Sequence, residues 1–147
     1  MEIREYTEYR EEGILRLYSS VGWTAYTDNP GVLEQGFRHS LLTLAAYEED
    51  ELIGLIRAVG DGATIVFIQD LLVDPAHQRQ GIATALVRAV LARYPEVRQV
   101  ELVTDNTPKT IAFYKSLGFT EFSKIGCFLE SILANGKVNL LQTFLWE

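Results

Sequence analysis

The sequence predicts an α/β fold, a mixed and mostly antiparallel sheet flanked by about four helices. Three observations carry this. Two apolar runs meet across an acidic turn in "LLTLAAYEEDELIGLIRAVG". A further run, "DGATIVFIQDLLV", follows through an Asp61–Gly62 turn. Beyond it, helix and strand patterns alternate, as a parallel return requires. With 147 residues, 48% of them apolar, the chain can bury one core, and a single domain over 1–147 is expected.

The elements follow in order. "MEIREY" reads as the first strand. A helix is expected from about Thr7 toward Val21, with Gly22 as its stop. In "DNPGVLEQGFRHS", Asn29 is a candidate N-cap and Pro30 suits the first helical position, giving a second helix. The hairpin and third run supply the next strands. After Gly81, a helix places Ile82, Leu86, Ala89 and Val90 on one face, and Pro95 ends it. "QVELVT" is the next strand, and "TPKTIAFYKSLGF" a short helix closed by Gly118. In the last stretch, "ESILANGKVNLLQTF" fits either a hairpin turning at Asn135–Gly136 or an apolar arm over the sheet edge or a second subunit. So much apolar surface is a liability if left in water, so a homodimer contact is expected there.

Composition excludes several classes. No apolar run approaches the length of a bilayer span. The start, "MEIREYTEYREEG", lacks the apolar region of a secretory signal. One cysteine, Cys127, cannot pair within the chain; among apolar neighbours it reads as a small core residue, and a reducing cytoplasm is expected. A formal charge of −7 opposes a nucleic-acid surface. It is compatible with cationic substrates, although solubility explains it equally well. His39 and His77 have no companions at metal-ligand spacing, so both read as surface residues and no metal is expected.

The stretch "VDPAHQRQGIATALV", residues 73–87, raises a sharper question. The first turn of a helix leaves backbone N–H groups without partners and carries a partial positive charge. Gly81 allows close approach to that backbone, Ala83 keeps the face open, and Arg79 adds a full charge, a combination that suits a diphosphate. Neither the Walker A pattern nor GxGxxG is present. An ordinary strand-to-helix turn with solvated polar residues fits the same letters.

"Leu-Leu-Val-Asp-Pro" followed by "Gln78-Arg79-Gln80-Gly81-Ile82-Ala83" resembles the Q/R-x-x-G-x-G/A motif of the GNAT superfamily of acyl-CoA-dependent N-acyltransferases. "KTIAFYKSLGF", residues 109–119, resembles that family's A-x-x-x-Y-x-x-x-G-F helix. The two occur in family order, and the resemblance covers residues 1–122. It implies a sheet whose fourth and fifth strands splay apart around acetyl-CoA, the cosubstrate. Carried over by position, the backbone of Leu71, Leu72 and Val73 would hold the pantetheine and polarise the thioester. Gln78, Arg79, Gln80, Gly81, Ile82, Ala83 and Thr84 would wrap the pyrophosphate. Tyr114 would protonate the departing sulfur; a core-edge tyrosine with a structural hydrogen bond is the plainer alternative. Where the family has asparagine seven residues before that tyrosine, this chain has Thr107, with Asn106 one place earlier, and either fits the cofactor contact.

The chemistry has its own demands. A lysine-like amine, with a pKa near 10.4, is free in fewer than about one molecule in a thousand at neutral pH, so its proton must be removed at a cost of roughly 4–5 kcal/mol. Attack on the thioester builds an oxyanion that a backbone N–H can stabilise. Asp70 interrupts an apolar strand with Gln69 and is the first candidate for the base, a hydrogen bond into a local bulge being the alternative; Glu101 is the second, and solvent exposure would equally explain it. Trp23, Tyr26 and Asp28 in "VGWTAYTDNP" would suit an amine on a small or apolar body, or would simply plug the core. The expected function is transfer of acetyl from acetyl-CoA to a primary amine of a small molecule or peptide N-terminus. A non-catalytic acyl-CoA-binding domain is the alternative, and a nucleotide-binding regulator is disfavoured by the missing phosphate-loop motifs.

Overall fold

The computed structural model describes residues 1–121. A first compact unit spans Met1–Val103, and a second begins at Thr104. The segment expected to form a dimer contact, with Cys127, lies outside the described residues.

The first unit is a five-stranded sheet in the order β1-β2-β3-β4-β5. The strands are β1 (Glu2–Glu5), β2 (Leu42–Glu48), β3 (Glu51–Gly60), β4 (Ile65–Val73) and β5 (Gln99–Leu102). The first four pair antiparallel, and β4 pairs with β5 in parallel. The expected mixed sheet is therefore present. The β2–β3 turn puts Glu49 and Asp50 at φ 47° and 71°, the left-handed geometry of a tight hairpin without a glycine. At the next turn, Asp61 takes the place of a strand partner. Its carboxylate accepts from the N–H groups of Ala63, Thr64 and Ile65 and from the Thr64 hydroxyl. That hydroxyl, with the amides, holds Asp61 well below the usual carboxylate range.

Helices α1 (Glu11–Ser20), α2 (Thr24–Thr27) and α3 (Pro30–Arg38) precede the hairpin. Ile14, Leu17 and Tyr18 of α1 and Leu33 and Phe37 of α3 pack with Ala45, Leu55 and Leu72 into one core. The helical repeat of three and four brings these side chains to one stripe. Helix α4 (Ile82–Arg93) buries Ile82, Leu86, Val87 and Val90. A Cβ on Gly54 of β3 would stand 3.1 Å from Ile82 and 3.5 Å from Leu86, so glycine lets α4 lie close on the sheet.

Several expectations need adjustment. Helix α1 starts at Glu11, not Thr7, because Tyr6 N–H donates to Thr43 O and the Tyr6 hydroxyl accepts from Arg10 N–H, keeping this stretch out of the helix. Gly22, at φ 77°, does end it: Gly22 N–H bonds Ser19 O and Trp23 N–H bonds Tyr18 O, the paired closure of a left-handed cap. The single-turn α2 was not foreseen. Asn29 precedes α3 but makes no side-chain cap. Val87 is in the buried set of α4, where Ala89 was expected. In the second unit, α5 (Pro108–Ser116) is capped by Thr107 and followed by Gly118 at φ 93°.

Gly60 sits at φ 136°, and a Cβ there would lie 2.3 Å from the backbone oxygen of Ile65. Gly60→Ala should lower unfolding stability by at least about 1–3 kcal/mol in urea denaturation. Gly31→Ala, in open space on α3, should be neutral or stabilising by up to about 1 kcal/mol. Equal effects at the two positions would contradict this account of the β3–β4 turn.

Candidate active site

The parallel ladder between β4 and β5 runs from Ile65–Gln99 to Ile68–Leu102, where β5 ends. Strand β4 continues to Val73, and no described strand pairs with Gln69–Val73 on that side. The direction of its amides follows from the neighbouring ladder. Asp74 N–H donates to Ile53 O, so by antiparallel alternation the N–H groups of Leu71 and Val73 point away from β3, toward the side that β5 has left. These are donors placed for an extended ligand to add as a strand.

The edge leads directly into the loop before α4. Asp74 caps one turn of 3-10 helix, Pro75–His77, by accepting from Ala76 N–H at 2.9 Å. Gln78 folds its amide back to donate to Val73 O at 3.1 Å. Arg79 is held at φ 64° and Gly81 at φ 82°, and no side chain caps the first turn of α4. Two left-handed residues, a helix start with no side-chain cap among the described residues and the exposed Arg79 are the ingredients from which backbone anion sites are built. Left-handed backbone at a non-glycine residue is costly and marks this loop as specialised.

On the α1–α3 side of the sheet lies a buried polar cluster. Arg57 Nε donates to Asp70 Oδ2 at 2.6 Å, with side-chain exposures of 7% and 0%. The Tyr18 hydroxyl donates to the same oxygen at 2.8 Å, and the Tyr26 hydroxyl donates to Oδ1 at 3.2 Å. Arg57 Nη1 also reaches Gly36 O and Ser40 Oγ, each at 3.3 Å. Burial, reinforced by the Asp70 charge, raises Tyr18 well above an ordinary phenol and Tyr26 to about 12. Both hold their protons at neutral pH.

A bulge explains how Gln69 joins this cluster. Arg57 is in register with Asp70, but Ala58 with Ile68, leaving Gln69 as the extra residue of β4. Gln69 Nε2 therefore reaches the Tyr26 hydroxyl, at 3.4 Å, from the same side as Asp70. The register also places Glu101. Arg57 and Val59 share a face of β3, Val59 pairs with Phe67, and Phe67 pairs with Glu101. Glu101 thus stands on the same side as Asp70, half-buried, accepting from Gln99 Nε2 at 2.6 Å. Trp23 and Tyr26 lie ring to ring at 5.9 Å beside Tyr18, and Asp28 is exposed at the end of α2.

The profile of the Acetyltransferase (GNAT) family matches residues 6–119. The chain belongs to the GNAT family. A GNAT-family acetyltransferase structure from Streptococcus pneumoniae aligns with a TM-score of 0.77 and 39% identity, over 90% of this chain and 96% of that one. The chain is 41% identical to GCN5-related N-acetyltransferase 2 of Arabidopsis thaliana over 76 residues, 49% of this chain and 28% of that protein. It spans less than a third of the length of such plant relatives. Similarity to aminoglycoside N(6')-acetyltransferase type 1 of Acinetobacter haemolyticus is 28% over 102 residues, 62% of this chain and 70% of that one.

Within this GNAT chain, the first unit brings together Leu71, Leu72 and Val73 with Gln78 through Thr84 along one continuous path, β4 into α4. It also brings Tyr26 and Asp70 together, with Trp23 against Tyr26. In the second unit, Tyr114 is half-buried between Phe113 and Phe119, at 4.9 Å and 5.7 Å ring to ring, and burial raises its hydroxyl to about 12. Thr107 is engaged as the cap of α5, accepting from Thr110 N–H and donating to Asp105, while Asn106 is exposed beside it. His77, expected at the surface, is half-buried, with Nε2 3.4 Å from Glu48 and Nδ1 3.6 Å from Asp74. His39 is exposed. No cluster of metal-binding side chains occurs among the described residues, and none of their helices is long and apolar enough to cross a membrane.

Arg57 and Tyr18 were missed by sequence reasoning. The signal for Arg57 was a lone charge inside the apolar run "LIGLIRAVG", matched by Asp70 on the next strand. Tyr18 lies on the apolar stripe of α1, where nothing in its local sequence sets it apart from its core neighbours.

Replacing Asp70 with Leu should cost about 3–5 kcal/mol by leaving Arg57 charged and unpaired in the interior. Adding Arg57→Met should recover much of that loss, and additive losses in urea denaturation would contradict the pairing. Stability should also fall as pH rises above 10. Tyr18 keeps its proton in the folded state beyond the pH at which the unfolded chain releases it, so unfolding then releases a proton and is favoured by alkali. Tyr18→Phe should flatten this fall by up to about 1.4 kcal/mol per pH unit. An unchanged slope would contradict it.

Proposed function

We propose that this GNAT domain transfers an acetyl group from acetyl-CoA to a primary amine of a small molecule or a peptide N-terminus, by direct attack on the thioester. The observation that supports this most strongly is the continuity of two donor sets: the outward amides of β4 and the uncapped start of α4. Leu71 and Val73 would hold the pantetheine as an added strand, with Leu72 between them. Arg79 to Thr84 would take the pyrophosphate, Gln78 bracing the turn and Gln80 lining it. Asn106 or Thr107 would touch the cofactor from the second motif.

Acetyl-CoA supplies an activated acyl carbon on a sulfur leaving group. The amine nitrogen forms its bond to that carbon while a proton leaves nitrogen and the C–S bond breaks. An outward β4 amide stabilises the oxygen that becomes negative. We assign the amine's proton to Glu101, directly or through water. Asp70 was the first expectation for that task, but three donors already converge on its fully buried carboxylate, which favours a holding role. The departing thiolate takes its proton from Tyr114, whose hydroxyl remains protonated at neutral pH.

Trp23, Tyr26 and Asp28 are proposed to receive the acceptor, two aromatic faces and a carboxylate being complementary to a cationic amine. The net charge of −7 favours the approach of such substrates. The aminoglycoside-modifying relative adds multiply charged amino sugars to the panel of acceptors worth testing. The lone cysteine favours a reducing compartment such as the cytoplasm.

Thiol release from acetyl-CoA with a panel of amines tests the reading. Turnover should appear with at least one amine, and Tyr114→Phe should lower kcat about tenfold or more with CoA affinity unchanged. Arg79→Gly relieves left-handed strain while removing the charge, so stability should hold or rise while CoA affinity falls about tenfold. CoA binding without turnover would leave a binding module, and no CoA binding would overturn the assignment.

A further inference from the structure

The cluster around Asp70 determines which way the Gln69 amide faces. Paired with Arg57 at 2.6 Å, Asp70 is an ionised carboxylate and can only accept hydrogen bonds. The Tyr26 hydroxyl, 3.2 Å from Oδ1, therefore commits its one proton to Asp70. Its oxygen has only lone pairs left to offer Gln69, so at 3.4 Å the amide must present its NH2 group there. The carbonyl Oε1 is then turned the other way. No described residue donates to it. Gln69 is half-buried, is the extra residue of the β4 bulge, and lies two positions before Leu71, whose N–H faces the free edge.

We propose that Gln69 Oε1 accepts a hydrogen bond from the acceptor's amine nitrogen and orients it for attack, with Tyr26 as the positioning residue that fixes the amide. The proposal rests on the acetyl-transfer reading above. A neutral carbonyl suits the task. It accepts an N–H from the amine before and after the proton leaves, without the full charge that would hold nitrogen in its unreactive ammonium form. A primary amine keeps two N–H groups when free, one for Oε1 and one to spare, while its lone pair faces the thioester.

The test uses the full chain, acetyl-CoA and an amine that the wild type acetylates. Gln69→Leu should raise the amine's KM or lower kcat/KM about tenfold or more, with CoA affinity by calorimetry within about twofold. Tyr26→Phe should give a smaller loss and add little to Gln69→Leu, since both act through one carbonyl. Gln69→Glu should move the pH–rate profile toward higher pH, because a carboxylate retains the ammonium; a purely structural role would not move it. An amine kcat/KM within about twofold of wild type in Gln69→Leu, or fully additive losses, would overturn the proposal while leaving acetyl transfer standing. Absence of CoA binding or of turnover in the wild type would overturn both.

Discussion

Arg57 and Asp70 face each other across β3 and β4 with almost no solvent contact, and the polar contacts on the face of the sheet that α1–α3 cover are organised around that pair. Neither charge is tolerable alone in the interior, since desolvation of an unpaired ion costs several kcal/mol. Together they gather four polar partners: Tyr18 from α1, Tyr26 from α2, and Gly36 and Ser40 at and beyond the end of α3. Three helices that share little sequence proximity with the sheet are thereby set against it at one polar point inside an apolar core. Gly36 is part of the arrangement, because a Cβ there would approach Arg57 Nη1 to 3.3 Å.

The same pair sits beside the β4 bulge, and the bulge divides the strand into two working halves. Before it, β4 is a paired strand in a parallel ladder with β5. After it, the strand keeps β3 on one side and turns Leu71 and Val73 N–H groups to an unpaired side. A recognition edge of this kind is an aggregation hazard in a bare sheet unless something covers or blunts it. Here the edge is five residues long and passes into the Arg79–Gly81 loop, where the backbone is strained in the sense that an anion would reward. On the proposed reading, cofactor and acceptor functions would be separated along one strand: the amides beyond the bulge for acyl-CoA, the side chains at the bulge for the amine.

What could be read from the sequence was what is local. The hairpins, the Asp61 turn, Pro30 at the start of α3, the Gly22 stop and the loop before α4 all announce themselves within a few residues, because turn and cap chemistry is short-range. The two family motifs were legible for the same reason. The Asp70 cluster was not. Arg57 lies 13 residues from Asp70, and Tyr18 lies 52 away, so only the sheet register and the packing of α1 bring them together. Asp70 alone looked like a base; the three donors around it are a tertiary fact. Tyr6 likewise delayed α1 through a contact with Thr43 that no helix propensity encodes.

On the proposed reading, the outward amides of β4 and the first-turn amides of α4 form one continuous receptor for acyl-CoA. Amide hydrogen exchange with and without CoA, read residue by residue, addresses it most directly. The account predicts that exchange at Leu71, Val73 and Gly81 through Thr84 slows together on CoA addition, while β1 and β2 are unchanged. Unaltered exchange at those six amides, with CoA bound and protecting other residues, would contradict it.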